Sequence, residues 1–489
     1  MSDKIERQAL KRAMSTRDVL ALAFGTMIGW GWIMLAGHWV ALAGFGGAVL
    51  AFVIGAVLCI FVGLAYAELT PALPLAGGEL VFSFRGLGYI PSWITGWMIT
   101  FAYVGVAAWE GPAFVTAIDY VVPLPRVGFL WTIAGFDVYI SWVLVGSAAG
   151  LVLAILNYIG VKSAAIFQTF ATLALAIGGL IFFFGSVVRG SVENLLPVFT
   201  DGKGLIAVIL MVPAMFVGFD VIPQAAEEMH IPLNKIAKIL IISICLAASW
   251  YILMILSIAF AAPGDFREAA TVPVADSFAY AMGSPIMGKL MIITAICGIL
   301  TSWNGFIVGA TRVLFSMGRA KMLPAAFGRV HPKHGTPTAA IILVGIITCL
   351  SPLMGRSALV WFVNASAFGT VVAYFMVTLS FLFLRFNEPN LARPFKTKAG
   401  ILVGVMGILV ALFFLYLYLF SPGKLVPVEW ALAGGWVLLG VIFFIMTQIR
   451  YGKTPLEETE FLMFGDEYAR KGAALPATRN SVRPRGEGK

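Results

Sequence analysis

Long apolar runs separated by short polar loops dominate the chain. A bilayer-spanning helix needs about 20 apolar residues. At that length the runs predict twelve spans, at roughly 18–43, 46–69, 92–118, 138–158, 163–188, 203–229, 233–262, 286–316, 338–354, 358–384, 400–420 and 428–449. The ninth is short and ends near Pro352. Between the second and third lies Thr70-Pro-Ala-Leu-Pro-Leu-Ala-Gly-Gly78, whose prolines and glycines mark a turn rather than more helix. The chain becomes polar from Arg450, with a short helix expected over 456–470 and disorder over 473–489.

Two of these spans are interrupted. In the first, Gly25, Gly29, Gly31 and Gly37 break the run, and Gly29-Trp30-Gly31 sits near its middle. Irregular backbone at membrane depth survives only where it is buried in protein or lines a wet cavity. The stretch therefore reads as a broken helix whose open backbone binds a solute, or as a close helix crossing, which also uses small residues. The sixth span holds Pro213, Gly218 and Pro223 around Phe216-Val-Gly-Phe-Asp220. Asp220 either caps the second half-helix or meets a cationic substrate. Spans one and six begin consecutive sets of five, and paired interruptions in two halves point to a transporter site. An odd number of spans per repeat makes the second repeat inverted. Exposed N–H groups at a half-helix start suit an anion, and exposed carbonyls suit an ammonium or a metal cation. An amino acid carries both charges.

Composition agrees. Hydrophobic residues make up 60% and charged residues 12% of the 489, against about 25% charged in a soluble domain. This is a polytopic all-α membrane protein in which the spans leave no soluble domain of useful size. The net charge of +9 suggests topology rather than nucleic acid. With both termini cytoplasmic, the outer loops hold only seven of the 33 Lys and Arg residues: Arg126, Arg189, Lys203, Arg267, Lys289, Arg356 and Lys424. That inward bias fits an even number of spans and a plasma or bacterial inner membrane. The expected organisation is a cytoplasmic N-terminus (1–17), a first five-helix unit (18–188), a second (203–384), two further helices (400–449) and a cytoplasmic tail (450–489). Cys59, Cys245, Cys297 and Cys349 all fall in apolar runs, so no disulfide-linked partner is expected. No His/Asp/Glu cluster, Ser–His pair or phosphate loop lies at membrane depth, which argues against an enzyme.

Four stretches are similar to one family. They are Met27-Ile-Gly-Trp-Gly-Trp-Ile; Tyr66-Ala-Glu-Leu-Thr with Pro74-Leu-Ala-Gly-Gly-Glu79; Gly218-Phe-Asp220 with Ala225-Ala-Glu-Glu-Met-His-Ile-Pro232; and Asn304-Gly-Phe-Ile-Val-Gly-Ala-Thr-Arg-Val-Leu-Phe-Ser-Met-Gly-Arg319. In this order and at these spacings the chain resembles the amino acid–polyamine–organocation transporters over roughly residues 15–385. The resemblance implies a LeuT-type fold: a 5+5 inverted repeat with broken helices 1 and 6, plus two additional helices. It departs at Trp30, where the family often has a small polar residue between the two glycines. In sodium-coupled members an ion lies between spans one and eight. Here that implies Gly25, Ile28, Gly298, Thr301 and Ser302 as a candidate Na⁺ site. Some proton-coupled relatives place a fifth-span lysine there; this chain has Thr169 and Thr172. The alternative is that Thr301 and Ser302 bond back to helix carbonyls.

The expected function is a secondary active transporter of an amino acid or a related small amine, working by alternating access and coupled to Na⁺ in preference to H⁺. Backbone at Ile28, Gly29, Trp30, Gly31 and Trp32 would hold the anionic end of the substrate. Backbone at Phe216, Val217, Gly218 and Phe219 would hold its ammonium, with Asp220 beside it. Tyr103, Trp30, Phe219 and Phe306 would form walls. No cofactor is expected beyond the coupling ion, Na⁺ or H⁺. The rival is a polyamine permease or an exchanger, H⁺-coupled or uncoupled, with Asp220 or Glu110 pairing extra positive charge. A channel or nutrient sensor is the rival from another class. Ionisable residues at depth are functional candidates: Glu110 as proton carrier, substrate contact or bundle residue, and His38 as a core residue or a path residue. Glu68, Glu227 and Glu228 are expected in gating ion pairs, and Asn364 along the path. The loop 317–338 reads as a gate or a solvated connector.

Overall fold

The structure, a computed structural model, describes residues 7–356, 359–420, 426–452 and 454–468. Its helices are α1 (Thr16–Met27), α2 (Gly31–Ala72), α3 (Glu79–Leu87), α4 (Tyr89–Val121), α5 (Ile140–Ile159) and α6 (Val161–Arg189). Then come α7 (Gly202–Phe216), α8 (Val221–Gln224), α9 (Leu233–Ala261), α10 (Gly264–Ala269), α11 (Pro273–Met282) and α12 (Pro285–Arg319). α13 (Thr338–Leu350), α14 (Leu359–Asn387), α15 (Gly400–Phe420), α16 (Pro427–Tyr451) and α17 (Leu456–Tyr468) follow. One antiparallel hairpin, β1 (Phe129–Ile133) with β2 (Phe136–Tyr139), joins α4 to α5. The molecule is an all-α membrane protein. The disorder expected over 473–489, and Lys424 of the charge count, lie outside the described residues.

Among the described residues, ten helices are long and apolar enough to cross a membrane, where the apolar runs predict twelve. Two features account for the difference. α2 runs for 42 residues but bends at Gly44, whose φ of 72° lies in the left-handed region. The carbonyl of Val198 fills the bend, accepting from the N–H of Gly46 at 2.9 Å and of Gly47 at 3.3 Å. One element thus covers the second half of the first expected span and all of the second. α13 is only 13 residues long, and a single 3₁₀ turn over Ser351–Met354 extends it. The proline at 352 and the left-handed Gly355 stop it there.

Both expected interruptions are present. α1 starts at a capping box, in which Ser15 and Asp18 exchange hydrogen bonds, and ends at Met27. The helix does not resume until Gly31, so Gly31 and Trp32 are helical and the open backbone is confined to 28–30. α7 ends at Phe216, and a turn over 217–220 leads into the single turn of α8. The two breaks touch: a methyl group added at Gly218 would lie 2.9 Å from the Met27 nitrogen. Gly218 has φ 130°, a conformation that glycine tolerates.

The bundle is layered. α4 lies at its centre, with 83% of its most apolar window buried, while α16 faces outward with 17%. α2 packs along α9, and α12 and α14 both pack on α4. α3, a buried nine-residue helix, lies in the stretch that the sequence pattern left unassigned. The hairpin was likewise unassigned. One end of the bundle gathers the basic segments: residues 7–14, the end of α12, 385–397 and α17 meet there. We call it the basic end.

Gly44→Ala would place a methyl group 2.5 Å from the Val198 carbonyl in a left-handed backbone. The expected cost is about 1–3 kcal/mol, read as a lower melting temperature of the purified protein. Gly434→Ala, where nothing lies within 4 Å, should leave it unchanged or slightly raised.

Candidate functional site

The breaks expose backbone on two sides of one cavity. At the start of α2, the N–H groups of Gly29, Trp30, Gly31 and Trp32 have no acceptor among the described residues. At the end of α7, the carbonyls of Ala214, Met215 and Phe216 have no donor among them. Free helix ends carry partial charge, positive at the N-terminus and negative at the C-terminus. The cavity between them is lined by Gly29, Trp30, Gly31, Ala214, Met215 and Val217 from the breaks. Val106, Trp109 and Glu110 of α4, Tyr251 of α9, Ser302 and Phe306 of α12 and Val363 of α14 complete it. Its free volume is about 50 Å³, small against the roughly 300 Å³ or more of a typical ligand pocket. Trp30, Trp109, Met215 and Phe306 are the large side chains that border the remaining space. A larger cavity of about 290 Å³ at the basic end, among Tyr89, Lys321, Gln448 and Tyr451, borders neither break; its lysine is already paired with Glu458 at 2.5 Å.

Of the expected substrate residues, Gly29, Trp30, Gly31, Val217 and Phe306 line the cavity. Trp32 points away and meets Trp250 edge-on, with ring centroids 5.4 Å apart. Phe216 packs against Phe52 and Tyr251. Tyr103 lies behind Phe306, 5.8 Å between rings, and Phe219 lies against Tyr66 and Tyr374. Asp220 does not cap α8. Its Oδ1 accepts from the Gly218 N–H at 2.7 Å and so pins the turn instead. The donors a cap would take are already used or absent: the N–H groups of Val221 and Ile222 bond Gly218 O and Phe219 O, both at 3.2 Å, and Pro223 has none. Glu110 reaches the cavity: its Oε1 would lie 2.4 Å from a methyl at Gly29, and the Ser302 hydroxyl 2.8 Å from it. Its other oxygen has no partner. Asn364 bonds Glu429 at 2.7 Å, tying α14 to α16 rather than lining a path. His38 is exposed on α2, not a core residue.

The candidate ion residues come together only in part. Ile28 O would sit 2.8 Å from a methyl at Gly298, and Thr301 Cβ 3.0 Å from one at Gly25. The Thr301 hydroxyl, however, donates to the Gly298 carbonyl at 2.9 Å, and Ser302 faces Glu110. The spot beside Gly25 is filled from α6 by Gln168 and Thr172, both donating to Ala21 O, at 3.2 and 3.3 Å. Asn304 donates to Gln168 at 2.8 Å, and Asn157 to Asn304 at 2.8 Å. Gln168 carries no charge signal in the sequence, and its buried position is what reveals it.

Ion pairs shut the basic end below the cavity. Glu227 receives Arg319 at 2.9 Å, Arg7 at 3.3 Å and the N–H groups of Leu10 and Ala76. Burial pushes its carboxyl up, but Arg319 and Arg7 more than offset this and hold it at about 2. Glu228 pairs with Arg312 at 3.0 Å, both fully buried. Glu68 pairs with Arg385 and with Arg393, the latter at 2.9 Å. The loop after α12 is packed at its start, where Met322 and Leu323 are buried, and solvated beyond, where Ala325, Ala326, Arg329, Pro332 and Lys333 are exposed. The N-terminal segment crosses this end, with Ala13 and Met14 donating to Glu228 O at 2.9 and 3.0 Å.

Fold and site together are those of a multi-pass integral membrane protein with a small-solute cavity at its helix breaks. A family model described as amino acid permease matches residues 14–445, and the chain belongs to that family. It is 26% identical over 456 residues to the branched-chain amino acid permease BcaP of Bacillus subtilis, covering 91% of this chain and 95% of that one. It is 24% identical over 472 residues to the methylthioribose transporter of the same organism, with the same coverages. It is 27% identical over 411 residues to cationic amino acid transporter 4 of Mus musculus, covering 80% of this chain and 63% of that one.

Two outcomes follow from the ion pairs. Arg312→Met leaves Glu228 buried and unpaired, with an expected loss of about 3–5 kcal/mol; Arg312→Met with Glu228→Met should recover most of the melting temperature. The folded Glu227 carboxyl, at about 2, lies below its unfolded value. Its contribution is therefore complete above the ordinary carboxylate range and lost as pH falls toward 2. Melting temperatures taken from pH 5 down to pH 3 should fall more steeply in the wild type than in Glu227→Gln.

Proposed function

We propose that the protein is a secondary transporter that carries an amino acid across the membrane by alternating access, with the basic end facing the cytoplasm. The carrying observation is the opposition of free N–H groups at the start of α2 and free carbonyls at the end of α7 across one cavity. A zwitterion matches both, its carboxylate on the first and its ammonium on the second. Val217 and Phe306 set the room for the side chain, and Trp30 is the mobile wall. Relatives named for branched-chain and cationic amino acids support the substrate class. The paired breaks support a LeuT-type inverted repeat, in which one group of helices rocks about a fixed site. Release to the cytoplasm then requires the Glu227 and Glu228 pairs to part.

The observations on coupling favour a proton over Na⁺. Thr301 and Ser302 spend their hydroxyls on Gly298 and Glu110, and donors from Gln168 and Thr172 occupy the place beside Gly25. Glu110 borders the cavity with no cation paired to it among the described residues, and an ionised carboxylate is costly in a buried site. A proton, or the ammonium of the substrate, supplies the counter-charge. The Na⁺ reading keeps one support, the closeness of the Ile28 carbonyl, Gly298 and Thr301.

The test is thermal stability of the purified protein with leucine, arginine, serine, glutamate, spermidine and methylthioribose, each in Na⁺ and in K⁺. A ligand at 100 times its Kd should stabilise by about 2.7 kcal/mol. One amino acid should do so equally in both salts, and Gly29→Ala should abolish the effect. Stabilisation by spermidine or methylthioribose alone would overturn the substrate class. A Na⁺ requirement that Thr301→Ala removes would overturn the proton. In liposomes, counterflow of the labelled amino acid separates a carrier from a channel.

A further inference from the structure

Two more buried carboxylates lie between the cavity and the basic end, and the transport reading above does not use them. Glu79 opens α3, three residues after Ala76, whose N–H binds Glu227. Its Oε2 accepts from the Gln224 amide, and its Oε1 from the Tyr103 hydroxyl at 3.4 Å. Asp220 is its electrostatic neighbour. Tyr103 touches Phe306 of the cavity on one side and both carboxylates on the other. The cluster therefore bridges the substrate cavity and the closed ion pairs.

Its polar atoms are not all satisfied. Gln224 Oε1 has no hydrogen-bond partner among the described residues, Asp220 Oδ2 makes no hydrogen bond of good geometry, and the hydroxyls of Tyr66 and Tyr374 turn to Glu79 and Asp220. Glu79, Asp220, Gln224 and Tyr66 are 0% exposed, and Tyr374 is 7%. The groups facing the pair are Tyr66 from α2, Tyr103 from α4, Tyr374 from α14 and Gln224 from α8, with Cys59 of α2 behind Tyr374. None is a cation. Arg312, on the helix packed against α8, is taken up by Glu228. No ion pair among the described residues reaches Glu79 or Asp220.

Two neighbouring carboxylates in a buried site cannot both stay ionised without a counter-charge. A metal ion needs room for several oxygen ligands at bonding distance. Here the rings of Tyr66, Phe219 and Tyr374 close in on one another at 5.4–5.8 Å. A proton needs no such room. Burial first, then the charge of Asp220, pushes the Glu79 carboxyl well above its usual range.

We propose that Glu79 and Asp220 together hold one proton while the basic end is shut, and release it to water when that end opens. On opening, the carboxyl O–H bond breaks, the proton passes to water, and both carboxylates become hydrated. On closing, one O–H bond forms again from water before the site dries. The proposal rests on the transporter reading for its place in the cycle, but not for the existence of the proton.

The experiment therefore has two arms on the full-length protein. Infrared difference spectra over a pH titration in detergent read protonated carboxyl groups directly. The wild type should show a protonated-carboxyl band at neutral pH that loses intensity in Glu79→Gln and in Asp220→Asn, the share owed to Glu110 remaining until Glu110→Gln removes it. A band of wild-type intensity in both variants, or a Glu79-dependent component that disappears when NaCl replaces KCl at constant pH, overturns the proposal; the second outcome marks a cation site instead. In liposomes, Glu79→Gln should retain counterflow of the stabilising amino acid. Under an inward gradient of one pH unit its accumulation should fall by about tenfold, the driving force of one proton carried down that gradient. Accumulation with the wild-type pH dependence also overturns it. Absence of counterflow in the wild type would strike the transporter reading alone, since the infrared arm stands apart from it. Should Glu79→Gln not fold, Asp220→Asn carries the infrared arm.

Discussion

Hydrocarbon offers backbone polar groups no hydrogen bonds, so each must find a partner within the protein. That constraint organises this molecule. Eight of the ten candidate spans are single uninterrupted helices that meet it by themselves, while α2 bends and the α7–α8 span breaks. The interruptions at 28–30 and 217–220 violate it in one place. The rest of the bundle is arranged around that violation. α4, α9, α12 and α14 wall it from lipid, Tyr251 donates to the Met27 carbonyl at 2.8 Å, and Gly218 lets one break rest on the other. What is left unpaired is a row of donors facing a row of acceptors, a dipolar slot prepared before any solute arrives.

Much of the fold was legible in the sequence because lipid imposes a simple length and polarity rule. The interruptions were legible for the same reason: Gly29-Trp30-Gly31 and Pro213–Pro223 are anomalies within apolar runs. Less was legible where the signal depends on which way a side chain turns. Trp32, Phe216 and Phe219 sit at the right depth but face neighbouring helices. Asp220 bonds backward to Gly218 because the forward donors are taken by the turn or, at Pro223, missing. Gln168 is silent in a hydropathy profile, yet it fills the position that a charged residue or an ion would take. α3 was missed because a buried nine-residue helix is too short for a span and too apolar to stand out as a loop.

The polar residues inside the bundle fall into two groups. Glu68, Glu227 and Glu228 are each matched by arginine and tie separate segments of the basic end together. Glu79, Glu110 and Asp220 have no arginine or lysine partner among the described residues. Glu110 borders the cavity at the breaks, and Glu79 and Asp220 lie near Gln224 and Tyr103 behind it. Geometry thus separates the carboxylates paired with arginine from those that are not, a distinction the sequence does not make.

The seal at the basic end also draws on α17. Met463 offers its carbonyl to Arg7 at 3.3 Å, Phe464 packs edge-on against Phe84 at 5.7 Å, and Glu458 holds Lys321. Translation makes α17 only after every helix of the bundle has been made. Until then, Arg7 and Lys321 lack partners that they hold in the finished molecule. A nascent bundle inserted up to α16 is therefore less firmly closed than the mature one, and the last helix acts as a timed bolt.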